Sequence, residues 1–242
     1  EKSYRLMMLP LQNITHVISP VMHPVFSDFR DDMARLSENY LKVVRLLALI
    51  GFPLSAVLHF TASELILLTF GPQWIESVPV FRILALSVGI QIVLSTSGSI
   101  FQAAGATRTL FLSGLLSAVL NVGAICAGIF HFGSLEAVAW CICASFTVNF
   151  VQCYYLMYYR TFRLSWRPFW DRFLSPLLLS LLLGGVLWGL DALLPADRLL
   201  LSLLVKAAVS LLVWLLYIQL SGEYDLRTRI MDKLRRRLGP DA

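Results

Sequence analysis

The sequence predicts an all-α polytopic membrane protein with about seven transmembrane helices, and three observations carry that prediction. The first is composition: of 242 residues, 57% are hydrophobic and 14% charged, and the mean hydropathy is +0.72. A soluble domain holds about 45–50% apolar and about 25% charged residues. Charge this sparse does not cover a soluble surface, which excludes a soluble globular enzyme, a disordered chain and a secreted disulfide scaffold. The second is spacing. The apolar residues fall into seven runs, at about 6–26, 41–62, 78–102, 108–131, 135–158, 173–194 and 199–220. About 20 helical residues cross a hydrocarbon core roughly 30 Å thick, and the strand-like alternation of a membrane barrel is absent. The third is charge placement: fifteen of the twenty Lys and Arg lie in alternate connections or the tail. The positive-inside rule puts those loops and the C-terminus in the cytoplasm. Lys2 and Arg5 run against it.

The first run carries Pro10, Pro20 and Pro24. A membrane helix keeps such prolines where neighbouring helices or a water-filled cavity satisfy the freed carbonyls. Gln12, His16, Ser19 and His23 recur on one face of it. The loop that follows mixes Asp28, Asp31, Asp32 and Glu38 with Arg30 and Arg35, the pattern of a solvated loop helix. On the second run Ser55, His59 and Ser63 repeat every four residues, and His59 reads as a hydrogen-bonded packing histidine. The third opens with Ser77 and Pro79, an N-cap and first turn. It then carries Arg82 and a stripe of Ser87, Gln91, Ser95, Gly98 and Gln102. The fourth has Ser113, Ser117 and Asn121; the fifth has Ser145, Asn149 and Gln152. The sixth is leucine-rich, with the packing pattern Gly185-x-x-x-Gly189. The last carries Ser202, Lys206 and Ser210, and a basic tail with Arg235, Arg236 and Arg237 follows. A tail directly after a span suits anionic headgroups and topology, so no nucleic acid is expected.

Polar groups are costly in a bilayer, so their positions carry information. Small Ser and Gly residues let helices approach and hydrogen-bond. The larger groups suit a hydrated cavity, and the candidate cavity-lining residues are Gln12, Asn13, His16, Arg82, Gln91, Gln102 and Asn121. Arg82 lies near the non-cytoplasmic face; snorkelling to headgroups and facing an anion in the cavity are both open to it, and Lys206 has the same two options. There is no glycine-rich phosphate loop, no Gly-x-Ser-x-Gly elbow and no His-Glu-x-x-His. The four cysteines (Cys126, Cys141, Cys143, Cys153) lie inside apolar runs, and Cys141 and Cys143 point to opposite sides of a helix. No catalysis, cofactor, metal or disulfide framework is expected. Glu1 stands where an initiator Met would, so the chain reads as a piece of something longer.

Four features in order resemble a known family. They are the proline-broken helix ending Pro24-Val-Phe-Ser27; Phe52-Pro53 with Glu64-Leu-Ile-Leu-Leu-Thr-Phe-Gly71-Pro-Gln-Trp74; Pro79-Val-Phe-Arg-Ile-Leu-Ala-Leu86 leading to Phe101-Gln-Ala-Ala-Gly105; and the next span with Asn121. Together they resemble the C-terminal half of Wzx-type oligosaccharide and polysaccharide flippases. These belong to the multidrug/oligosaccharidyl-lipid/polysaccharide exporter superfamily, and the features are closest to its colanic-acid and exopolysaccharide exporters. The resemblance covers about residues 1–160; the last two spans fit in position and hydrophobicity only.

It implies the second lobe of a transporter of twelve to fourteen helices. Residues 1–160 would form the lobe, 161–221 an extra helix pair and 222–242 a basic cytoplasmic tail. It further implies a multi-pass protein of the bacterial inner membrane that moves an undecaprenyl-diphosphate-linked oligosaccharide repeat unit by alternating access of two lobes, for exopolysaccharide, O-antigen or capsule. The implied partners are that lipid-linked oligosaccharide, the bilayer, an absent N-terminal lobe, and a polysaccharide polymerase with its export machinery. One lobe cannot rock alone, so the chain by itself is expected to be inactive. Trp74 and Phe101 would be sugar platforms, and the leucine-rich last pair a flank for the lipid tail. The alternatives are a seven-helix receptor or sensor, a membrane-embedded glycosyltransferase or polymerase, whose large outer loop is missing here, and a multidrug exporter, which acidic residues in the first spans would favour, though none is evident there.

Overall fold

A computed structural model describes Met8 and residues 32–194 and 198–221, and among them every regular element is helical. Among the described residues five helices are long and apolar enough to cross a membrane, and there are six such segments when the bent pair Ser77–Ala85 and Val88–Ala103 is counted as one span. They match the six apolar runs from 41–62 onward. The run at 6–26 lies outside the described residues.

Helix α1 spans Met33–Phe60. The Asp32 carboxylate accepts the Arg35 N–H at 3.1 Å and satisfies one orphan donor of the first turn. The same carboxylate pairs with Arg35 at 3.3 Å, and Lys42 pairs with Glu38 at 3.6 Å. The acids of this loop that are described therefore belong to a solvated helix start. At the far end Thr61 breaks the helix: its hydroxyl takes the Val57 carbonyl at 2.7 Å. Helix α2, Ala62–Phe70, follows and ends at Gly71, whose φ of +90° suits only glycine. A Cβ there would also lie 2.6 Å from the Gln73 side chain.

The third span is three short helices: α3 (Ser77–Ala85), α4 (Val88–Leu94) and α5 (Ser97–Ala103), bent by 45° between α3 and the rest. Hydroxyls explain the breaks. Ser87 takes the Leu84 carbonyl at 2.7 Å, Ser95 that of Ile92 at 2.7 Å, and Thr96 that of Val93 at 2.9 Å. The stripe expected from Ser87 to Gln102 is thus not one continuous helical face. Two of its serines are spent on the backbone.

Helix α6, Thr107–Ala127, widens into a π-helical turn at Gly128–Phe132. It is the least buried span. Its large apolar residues are exposed, as lipid-facing positions allow. Helix α7, Leu135–Leu156, is capped by Ser134, which accepts the Ala137 N–H at 3.1 Å, and ends in a second π-helical turn. Helix α8, Arg167–Leu193, starts six residues before the apolar run it contains, and α9 is Leu199–Ser221.

Helix α1 is the centre of the bundle. It packs on α8, with Phe52 and Phe173 edge to face at 5.8 Å. It crosses α4 where Gly51 meets Gly89. Toward the basic end, Phe150 and Tyr154 of α7 join Phe169 and Phe173 of α8 in an aromatic nest, with Tyr154 and Phe169 only 4.2 Å apart. There Tyr154 donates to the Val93 carbonyl at 3.1 Å and hydrogen-bonds Tyr40 at 2.9 Å. Gly185 and Gly189 meet nothing within 4 Å, so their pattern packs no helix within the described residues.

Candidate polar sites within the helix bundle

The sequence stripes on α6 and α7 face each other. The Ser145 hydroxyl donates to the Asn121 side-chain oxygen at 3.1 Å, and the Asn121 amide donates to the Ser117 carbonyl at 2.9 Å. One layer toward the basic end, Gln152 donates to Ser113 at 3.2 Å. The side-chain oxygens of Asn149 and Gln152 are buried without a partner. Asn121 also lines a cavity of about 560 Å³ between α3, α6 and α7, with Glu76 and Ser77 among the polar lining and Val80, Ile142 and Phe146 among the apolar. This interface is chiefly packing. Interhelical hydrogen bonds in membranes average about 0.6 kcal/mol. Asn121→Ala is therefore expected to lower stability in detergent by under roughly 1.7 kcal/mol, measured as the shift of the thermal unfolding midpoint against parent.

The other sequence candidates separate. Gln91 is buried and donates to the Ser87 hydroxyl at 2.8 Å, within its own span. Gln102 is exposed at the basic end of α5. Gln12, Asn13 and His16 lie outside the described residues. Arg82 is exposed on α3, and one of its terminal nitrogens donates to Ser63 at 2.9 Å. No carboxylate among the described residues pairs with it.

The stripe of Ser55, His59 and Ser63 is used in full. Ser55 accepts the Gly89 N–H at 2.6 Å, His59 Nδ1 lies 3.0 Å from the Arg82 carbonyl, and Ser63 accepts from the Arg82 guanidinium. A carbonyl only accepts, so His59 donates through Nδ1. The three residues join α1 and α2 to α3 and α4.

A cavity of about 400 Å³ opens where Arg82 lies, at the end opposite the basic loops. Its lining includes Ser63, Glu64, Arg82, Asp191, Ser202 and Lys206. Sequence reasoning gave Lys206 and Ser202 but not their partners. Lys206 is 2% exposed and Glu64 5% exposed. The Lys206 ammonium donates to Glu64 Oε1 and to the Phe60 carbonyl at 2.9 Å, and it forms an ion pair with Asp191 Oδ1 at 2.5 Å. Ser202, one turn earlier on α9, donates to the same Glu64 oxygen at 2.6 Å. A lysine eight residues into an otherwise apolar helix requires a counter-ion, and that was the available signal. Glu64 is an acid near the first described span, the feature expected to favour drug export. Glu64 is buried against Lys206, so its own carboxylate is not presented to a cationic drug.

Comparison with known proteins adds the family context. Residues 1–79 match a family model described as a polysaccharide biosynthesis protein. The chain is 28% identical over 151 residues to the teichuronic acid biosynthesis protein TuaB of Bacillus subtilis (strain 168), covering 62% of this chain and 31% of that one. It is 29% identical over 145 residues to the succinoglycan biosynthesis transport protein ExoT of Rhizobium meliloti (strain 1021), covering 60% and 29%. With the lipopolysaccharide biosynthesis protein WzxC of Escherichia coli (strain K12) the figures are 26% over 126 residues, 52% and 26%. The match spans less than a third of the length of each of these relatives. No solved structure matches. The resemblance to Wzx-type flippases read from the motifs is borne out, and two of its four motifs, those at Pro24–Ser27 and Phe52–Trp74, fall within the residues that the family model matches.

Proposed function

We propose that this chain is part of a transporter that moves a lipid-linked oligosaccharide across the bacterial inner membrane during polysaccharide biosynthesis. Two lobes would rock around a midplane path, and the described helices belong to one of them. The basic connections and the C-terminus would face the cytoplasm. The observation that carries the reading is Arg82. It is a guanidinium without a carboxylate partner among the described residues, at a polar cavity, in a chain similar to polysaccharide transport proteins. Guanidinium groups match phosphate oxygens in geometry as well as charge. We assign Arg82 to the diphosphate of the carrier lipid, at the face where the sugar is released. Asn121 lines the neighbouring cavity, whose largely apolar wall suits a lipid chain. The substrate is an undecaprenyl-diphosphate-linked repeat unit, and the protein acts as a transporter, not an enzyme.

The test is flipping of a fluorescent undecaprenyl-diphosphate oligosaccharide by the intact protein in proteoliposomes. Arg82→Gln is expected to slow it at least about tenfold, the effect of losing roughly 1.4 kcal/mol of a charge-assisted contact, with the unfolding midpoint unchanged. Unimpaired flipping by Arg82→Gln removes Arg82 from the path. No flipping by the parent, with normal surface polysaccharide in a strain lacking the gene, overturns the function.

A further inference from the structure

We infer that Lys206 is a positioning residue for Arg82: it holds Glu64, Glu64 fixes α2, and Ser63 of α2 sets the guanidinium at the cavity. The inference rests on the assignment of Arg82 to the substrate's diphosphate.

Helix α2 has only nine residues, Ala62–Phe70. The Thr61 break precedes it and the left-handed Gly71 follows it. So short a helix does not hold itself in place. Glu64 is its one charged residue, and that carboxylate is tied to α9 through Lys206 and Ser202. The adjacent Ser63 turns toward α3 and accepts from Arg82 at 2.9 Å. Helix α2 is therefore a bridge with α9 on one side and α3 on the other. Asp191 brings in the end of α8 through the same ammonium.

Lys206 itself does not fit a ligand-binding role. It donates to Glu64 and to the Phe60 carbonyl, is ion-paired with Asp191, and is almost wholly buried. Arg82 is the opposite case: it is exposed and has one hydroxyl partner among the described residues. The charges divide into an inner group that fixes helices and an outer cation left to meet substrate. The last helix pair is then required for the geometry of the cavity, and does more than flank a lipid tail.

Two experiments on the intact protein test this. The first needs no substrate. A cysteine placed by Ser63→Cys sits beside the Arg82 guanidinium, which stabilises its thiolate, the reactive form. N-ethylmaleimide is expected to label it several-fold faster in the Arg82 parent than in an Arg82→Gln background. Lys206→Met is expected to abolish that difference in the folded, detergent-soluble fraction. Lys206→Gln keeps a donor for Glu64 and folds more readily, so it is expected to give an intermediate ratio. A merely structural lysine would change the yield of folded protein and not this ratio. An unchanged ratio in both variants overturns the inference, as does a parent in which Arg82 gives no acceleration. The second is a double-mutant cycle on flipping per folded molecule. Lys206→Gln is expected to cost about tenfold with Arg82 present and less than twofold in Arg82→Gln. Equal costs in the two backgrounds overturn the inference. A parent that flips nothing counts against the transport reading alone, because the labelling ratios still decide the positioning role.

Discussion

Lys206→Met is expected to reduce the stability of the fold by about 3–5 kcal/mol, the cost of removing one partner from a buried ion pair. The reason is what remains behind. Glu64 is 5% exposed and keeps only the Ser202 hydroxyl among its side-chain partners at that oxygen. Asp191 loses its ammonium, and the Phe60 carbonyl loses the Lys206 donor. Water replaces the ammonium at Asp191, which is exposed, but not at the buried Glu64 carboxylate. The hydrophobicity of α9 rises in the same variant, so its insertion as a span does not suffer. The loss therefore reports on the cluster and not on the helix. The control is the triple variant Glu64→Gln, Asp191→Asn, Lys206→Met, which removes every charge at once. It is expected to regain part of the stability, because no unpaired charge is then left buried. Thermal unfolding in detergent, followed by the fraction remaining monodisperse, reads both. A single variant as stable as the parent, or a triple variant as poor as the single one, contradicts this account of the cluster.

The cluster also marks the limit of what the sequence carries. Local pattern was legible. Ser55, His59 and Ser63 were read as one stripe, and all three meet α3 or α4. The stripes ending at Asn121 and Gln152 were read separately and meet each other. Such stripes follow from helical geometry within one element. The partner of Lys206 does not. Glu64 lies 142 residues away along the chain, and no periodicity links the two. Glu64 sat instead inside a family motif, where it read as part of a helix end. The breaks in the third span were hidden for a related reason. Ser87, Ser95 and Thr96 are ordinary polar positions in a list of residues, and become helix breakers only once their hydroxyls turn back onto carbonyls. Among the cavity candidates, residue type alone did not separate Gln91, spent on its neighbour, from Arg82, which reaches another helix. Small-residue spacing misled in the same way: Gly185 and Gly189 form the packing pattern and meet open space, while Gly51 and Gly89, on different spans, form the close crossing.

That crossing makes the second large prediction. At Gly89 a Cβ would lie 3.0 Å from the backbone carbon and oxygen of Gly51 and from the Cα of Phe52. These are main-chain atoms of the central helix and have no rotamer to escape into. Gly89 is also in the first turn of α4, where its N–H has no carbonyl within the helix. Ser55 supplies the acceptor at 2.6 Å, which requires the two backbones to stay close. Adding a methyl group at Gly89 thus sets two effects against the fold together: the helices separate, and a buried N–H loses its partner. Gly89→Ala is expected to cost about 1–3 kcal/mol by overpacking alone, with roughly 1–3 kcal/mol more if the N–H is left unsatisfied. Gly89→Leu is expected to yield no folded protein. Gly51→Ala should be milder, since its Cβ meets Gly89 and Ile92 at 3.2–3.3 Å. Gly114 supplies the contrast: it lies within α6 and a Cβ there meets nothing within 4 Å. Gly114→Ala relieves the helix penalty of glycine and is expected to be neutral or to stabilise by up to about 1 kcal/mol. Unfolding midpoints of the four variants in one detergent decide the matter. The order Gly114→Ala, Gly51→Ala, Gly89→Ala, Gly89→Leu, from most to least stable, supports a crossing set by backbone contact. A tolerated Gly89→Leu would mean that α1 and α4 do not approach at this point, and that the centre of the bundle is held by the Phe52 and Phe173 contact with α8 instead.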